Sequence, residues 1–205
     1  MSTVFSRSLF SHMFAIAMVV MAASSLQAQD KPAATTQPAR KEMDLELFEE
    51  GTSWAFIPGA EFPGAKGSFK LGMEKDKPVG ILSYDFSGGG NYVGALTAVR
   101  ISDTAGEVRF KVQAREAMSL GVRLTDQTGQ VHQYGVPYTT PGQWATMRVS
   151  LRKPDAGHWA GKNDGEMYYP ISEICLNVGN VNLTDKQGQV LFCDVVTIEK
   201  KPAQP

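Results

Sequence analysis

The sequence predicts an all-β protein, a two-sheet antiparallel β-sandwich. Apolar side chains recur with period two along segment after segment, glycine-rich turn signals separate those segments, and a 3.6-residue period hardly appears. Phe69, Leu71 and Met73 alternate with Ser68, Lys70 and Gly72. Val108, Phe110, Val112 and Ala114 alternate with Arg109, Lys111, Gln113 and Arg115. The same holds for Leu120, Val122 and Leu124, for Met147, Val149 and Leu151, and for Ile174, Leu176 and Val178; a last run covers Val190 to Ile198. Each reads as a strand with one face on a core and one toward water. Between them stand Ser87-Gly88-Gly89-Gly90-Asn91, Thr104-Ala105-Gly106, Asp126-Gln127-Thr128-Gly129, Pro141-Gly142 and Asp185-Lys186-Gln187-Gly188. The one helical candidate, Lys41 to Glu50, alternates at Leu45 and Leu47 equally well as a first strand.

The ends of the chain read differently. Arg7 precedes the apolar run Met13 to Ala23, and small or polar residues follow to Ala28, the layout of a secretory signal peptide at residues 1–28 with cleavage after Ala28. Residues 29–41 are a Pro/Ala/Thr tether without large apolar side chains, too poor in burial to offset its ordering entropy. Residues 42–199 form the domain and 200–205 a disordered tail. The mature chain then works outside the cytoplasm, periplasmic or extracellular, with no membrane span. A net charge of −1 supplies no basic field for nucleic acid. The two cysteines, Cys175 and Cys193, face each other if residues 171–178 and 189–199 form a direct hairpin, and are separate buried thiols if those strands lie in opposite sheets.

Along the domain, Phe48-Glu49-Glu50-Gly51 with Trp54, then Gly67-Ser68-Phe69-Lys70-Leu71, then Leu82-Ser83-Tyr84-Asp85-Phe86 before a glycine loop and an aromatic, follow a familiar order. Gly142-Gln143-Trp144 leads into Met147-Arg148-Val149-Ser150-Leu151, and Gly188-Gln189-Val190-Leu191-Phe192-Cys193-Asp194-Val195 closes the domain. In order and spacing this resembles the galactose-binding-like jelly roll of carbohydrate-binding modules. The resemblance implies a jelly roll, structural packing roles for Trp54 and Trp144, and a structural calcium ion (Ca2+) held by Glu49 and Asp194. Cys193, standing where the family usually has the first of two acids, is a soft group unsuited to calcium.

Nothing in the sequence carries a catalytic motif: there is no Gly-x-Ser-x-Gly and no His-Glu-x-x-His, and Gly88-Gly89-Gly90 lies between strands rather than before a helix. Of three histidines, His12 goes with the signal. Sugar recognition needs flat aromatic faces against pyranose C–H surfaces and planar or forked polar groups for the hydroxyls. Trp159, in a loop rich in Gly, Lys, Asn and Asp, is the foremost ligand-facing candidate; a loop anchor over the end of the sandwich is the competing role. Tyr134 and His132 share a strand phase and are expected either to line a groove with Arg123 or to belong to a solvated polar face, with Gln133 and neighbouring amides holding hydroxyls. The expected function is noncatalytic binding of a glycan or polysaccharide. The alternatives are an assembly module that packs a sandwich face on a partner protein and, further off, a polysaccharide lyase or hydrolase.

Overall fold

A computed structural model of the chain describes residues 40–152 and 155–201; the signal sequence and all but the last residues of the tether fall outside the described residues. Twelve strands form two six-stranded antiparallel sheets, and no α-helix occurs among the described residues. The strands are β1 (Glu42–Asp44), β2 (Ala55–Ile57), β3 (Lys66–Glu74), β4 (Lys77–Asp85), β5 (Tyr92–Ile101) and β6 (Ala105–Ala114). They continue with β7 (Met118–Thr125), β8 (Val131–Tyr138), β9 (Ala145–Ser150), β10 (Gly157–Trp159), β11 (Ile171–Gly179) and β12 (Gln187–Glu199). One sheet runs β3-β4-β12-β6-β9, with β1 on the far half of β12; the other runs β10-β8-β7-β11-β5-β2. The Lys41–Glu50 segment thus begins as a strand, pairing Glu42 with Ile198.

The core sits between the sheets. Leu82, Phe110, Val112, Val190 and Phe192 from the first meet Val93, Leu120, Val122, Leu124, Ile174 and Leu176 from the second, all buried. Phe110, Val112, Leu120, Val122, Leu124, Ile174 and Leu176 are the apolar members of the alternating runs, so the period-two pattern fixes both those strands and the faces they bury. Among the described residues no buried side-chain nitrogen or oxygen lacks a hydrogen-bond partner. A two-residue turn of type I′ needs positive φ at both central positions, and Lys75 and Asp76 (φ 48° and 64°) turn β3 into β4 that way.

Trp54 packs as the resemblance implied: its Nε1 donates to the Leu47 carbonyl (2.8 Å), and its ring stacks on Phe48 (5.5 Å between centroids) and tilts onto Phe69 (4.6 Å). Trp144 departs from that expectation. It is 36 % exposed, because it shares the outward phase of Thr146 and Arg148 at the start of the edge strand β9. The cysteines take the opposite-sheet arrangement: Cys175 on β11 and Cys193 on β12 are free thiols in different sheets. Lys200, placed in the tail by sequence, is held instead, its N–H donating to the Thr104 carbonyl, while Arg152 donates to the Lys201 carbonyl.

Gly80 lies beneath the Phe48–Trp54–Phe69 cluster. A Cβ there would stand 2.5 Å from Phe69 Cζ and 2.6 Å from Phe48 Cε1, and two rings both packed against Trp54 cannot both give way freely. Gly80→Ala is therefore expected to cost about 1–3 kcal/mol of overpacking, read as a lower urea midpoint with an unchanged slope.

Candidate functional site

Side chains directly opposite on antiparallel strands point to the same side, so register alone lays out the outer face of the second sheet. Arg123 on β7 pairs with Gln133 on β8 and Cys175 on β11, and Cys175 pairs with Leu96 on β5. One step along, Gly135, Gly121, Asn177 and Gly94 form a parallel row. Three of its four members are glycines, so the row stays low: Asn177 lies over Gly121, where a Cβ would meet its Oδ1 at 2.9 Å, and Cys175 Sγ would stand 3.0 Å from one on Gly94. Across this low row the Arg123 guanidinium reaches Tyr92, at the start of β5.

Arg123 Cζ lies 4.2 Å from the Tyr92 ring centroid and 5.2 Å from that of Trp159. Its Nε donates to Gln133 Oε1 at 2.9 Å. Tyr92 is fixed from its far end, where its hydroxyl donates to Glu61 Oε1 at 2.5 Å. Burial and the bond to Glu61 push the Tyr92 hydroxyl above its ordinary pKa against the pull of Arg123, so the phenol stays protonated. The same bond from Tyr92 holds the Glu61 carboxyl below the usual range. Trp159 remains 39 % exposed, as does Phe62 (45 %) beside Glu61. Two aromatic rings, a guanidinium, an amide and a carboxylate thus share one open surface.

His132 and Tyr134 do not join it. They occupy the opposite phase of β8, where His132 pairs with Leu124 and Tyr134 with Val122, both core residues. The expected groove of His132, Tyr134 and Arg123 is therefore corrected, since neighbouring phases of one sheet face opposite ways. His132 is 1 % exposed and sits in a polar network. Its Nδ1 lies 2.6 Å from Asp155 Oδ2 and its Nε2 lies 3.1 Å from Gln130 Nε2; the tautomer protonated at Nδ1 donates to the first and accepts from the second. The other Asp155 oxygen takes His158 Nδ1 at 3.2 Å. Burial alone would raise the Asp155 pKa, but the bonds from His132 and His158 outweigh it and hold the carboxyl below its ordinary value.

Asp126 anchors the same region from the β7–β8 turn. Its Oδ1 accepts from Thr128 N, Thr128 Oγ1 and Gln130 N, and its Oδ2 from Tyr168 N. Burial would raise its pKa, yet these bonds overcome it and hold the carboxyl low. Next to this network is an open cavity of about 530 Å³ lined by His132, Tyr134, Asp155, His158 and Tyr169 among others. Burial pushes the Tyr134 hydroxyl far up, and both His132 nitrogens are engaged. The network acts as a clamp. It ties β8 to the segment from Asp155 to Tyr168 that carries Trp159.

The calcium expectation does not fit the residues. Asp194 stands at a β-bulge with φ 51°, which turns its carboxylate outward. There it meets Lys111 Nζ at 2.7 Å and Lys77 Nζ at 3.1 Å, two ammonium groups in place of a divalent cation. Glu49 lies exposed in a turn closed by Thr52 N to its own carbonyl, and no bond joins it to Asp194. Among the described residues no group of three or more His, Cys, Asp or Glu is placed to hold a metal.

Two solved structures share this architecture. One is the family 11 carbohydrate-binding module of the cellulosomal cellulase Lic26A-Cel5E of Clostridium thermocellum, with a TM-score of 0.56, 16 % identity, and coverage of 81 % of this chain and 99 % of that one. The fold is the jelly roll that this module has. The solution structure of CtCBM11 agrees, with a TM-score of 0.58, 16 % identity, and 82 % and 99 % coverage. No family model and no curated protein matches the sequence. Sequence reasoning reached Trp159, Arg123 and Gln133. It missed Tyr92 and Glu61, which come from the far side of the sheet and from the β2–β3 loop.

Asp155→Asn removes an ionised acceptor from two imidazoles. The expected loss is about 1–3 kcal/mol at neutral pH, the cost of leaving buried polar groups poorly paired. A carboxyl held low in the fold contributes stability above its unfolded value that is lost as pH falls through its folded one. The gap between wild type and variant in urea unfolding therefore narrows as pH falls below 3.8.

Proposed function

We propose that this chain is an exported, noncatalytic polysaccharide-binding domain whose ligand lies across the outer face of the second sheet. The observation that carries the reading is the Arg123 guanidinium set against both Tyr92 and Trp159 on an open, glycine-floored surface. The exposed Trp159 ring takes the C–H face of a pyranose, and a second ring at Tyr92 takes another along the chain. A guanidinium carries five N–H donors. One goes to Gln133, and the others are available to sugar hydroxyls. Glu61 and Gln133 accept hydroxyl protons at the two ends of the row.

Preorganisation supports the same reading. Arg123 is already stacked, Tyr92 already bonded and the Trp159 segment already clamped through Asp155, so little side-chain ordering is left to be done on binding. Export rests on the sequence of residues 1–28, and among the described residues no helix is long and apolar enough to cross a membrane. The cellulase-borne module of the same fold supports a polysaccharide as the ligand class.

Affinity electrophoresis through gels containing soluble β-glucan, galactan, galactomannan or agarose tests this. Wild type is expected to be retarded by at least one of them. Trp159→Ala and Tyr92→Ala each lose about tenfold in affinity, the loss of one stacking contact of roughly 1.4 kcal/mol, while circular dichroism stays unchanged. Retardation by no polysaccharide, or full binding by both variants, overturns the reading.

A further inference from the structure

The other sheet carries a second surface of the same chemical kind. On its outer face Gln113 of β6 pairs with Leu191 of β12, and Gln189 pairs with Ser83 of β4. Gln187 lies two residues before Gln189 in the same phase. These amides line an open cavity of about 500 Å³, with Leu191 and Gly188 among its other lining residues. Each amide is held by its nitrogen: Gln113 Nε2 donates to the Gly142 carbonyl (2.8 Å), Gln187 Nε2 to Ser87 Oγ (3.3 Å) and Gln189 Nε2 to Ser83 Oγ (3.2 Å). Their Oε1 atoms accept no hydrogen bond from the described residues, which leaves three oriented acceptors along one wall.

The aromatic partner stands beside them. Ala145 pairs with Val112, so Trp144, one residue earlier, falls next to Gln113 in the outward phase. It is 36 % exposed, whereas Trp54 is packed. The charge balance is close to neutral. Glu116 at the cavity is occupied internally, accepting from Tyr84 Oη and from the N–H groups of Thr184 and Asp185. Arg115 and Asp185 offset each other among the lining residues. An anionic ligand finds no surplus of cations here and a cationic one no free carboxylate cluster.

We infer that the Trp144–Gln113–Gln189 surface is a second site for a neutral saccharide, on the sheet opposite the Trp159 face. A tryptophan ring supplies the stacking plane, and three amide carbonyls accept from successive hydroxyls, the pairing that sugar chemistry requires. With ligand faces on opposite sheets, one chain bridges two glycan strands, and the linked sites gain avidity that neither has alone. The inference stands on different residues from the Trp159 reading and does not depend on it.

The three tryptophans make the test direct. In a 1H–15N correlation spectrum their indole N–H signals are titrated separately with cellohexaose, mannohexaose, β-1,4-galactotriose and agarohexaose. Trp54, bonded to Leu47, is the internal reference. The expected result is a saturable shift of the Trp144 signal with at least one sugar, retained in Trp159→Ala and weakened about tenfold in a Gln113→Ala/Gln189→Ala variant. If no sugar moves the Trp144 signal, or its shift disappears in Trp159→Ala, the second site is overturned. The Trp159 signal reports the first face independently, so failure of one reading is distinguishable from failure of the other.

Discussion

Two side chains one residue apart on a strand cannot serve the same face, and most of this structure follows from that constraint acting on the second sheet. Once Leu120, Val122 and Leu124 turn into the core, Arg123 must turn out. Once Arg123 is out, the register carries Gln133, Cys175 and Leu96 out with it and sends His132 and Tyr134 inward. The Arg123 face, where we propose that the ligand lies, and the buried clamp are thus two sides of one strand, β8, and neither can be moved without the other.

The clamp is the costlier of the two to build. A histidine, two aspartates and a glutamine lie nearly or fully out of solvent, and each would destabilise the fold if left unpaired. Their mutual satisfaction fixes the segment between Asp155 and Tyr168 to the sheet, and Trp159 is the part of that segment turned toward Arg123. On the opposite sheet the bulge at Asp194 does a comparable job with two lysines. Ion pairs there join β12 to β4 and β6, in the region where the family resemblance led us to expect a metal.

The strands with one wet face were legible in the sequence, since β3, β6, β7 and β9 alternate, and β11 and β12 stand out as an alternating stretch from Ile174 and an apolar run from Val190. β5 was not, because Gly94, Leu96 and Ala98 fill the middle of its outward phase and only Arg100, near its end, carries a charge; the Lys75-Asp76 turn lacks the glycine or asparagine that usually signals one. At the site, Trp159, Arg123 and Gln133 could be found from loop composition and phase. Tyr92 and Glu61 come together with them only through strand order, a non-local fact that no spacing records. His132 and Tyr134 misled because polar residues in an alternating phase normally face water. Here Asp155 and Gln130 satisfy His132 inside, and burial takes most of Tyr134. Trp144 misled in the opposite sense, an apolar residue standing on the wet side of an edge strand.

The central claim is that the ligand rests on the outward phase of β7 and β8 rather than in the cavity behind it. Intermolecular nuclear Overhauser effects in a complex with a bound oligosaccharide decide this most directly. Contacts from pyranose C–H protons to the ring protons of Trp159 and Tyr92 are the predicted result. Contacts instead to the rings of His132, Tyr134 or Tyr169, with none to Trp159, would contradict the account.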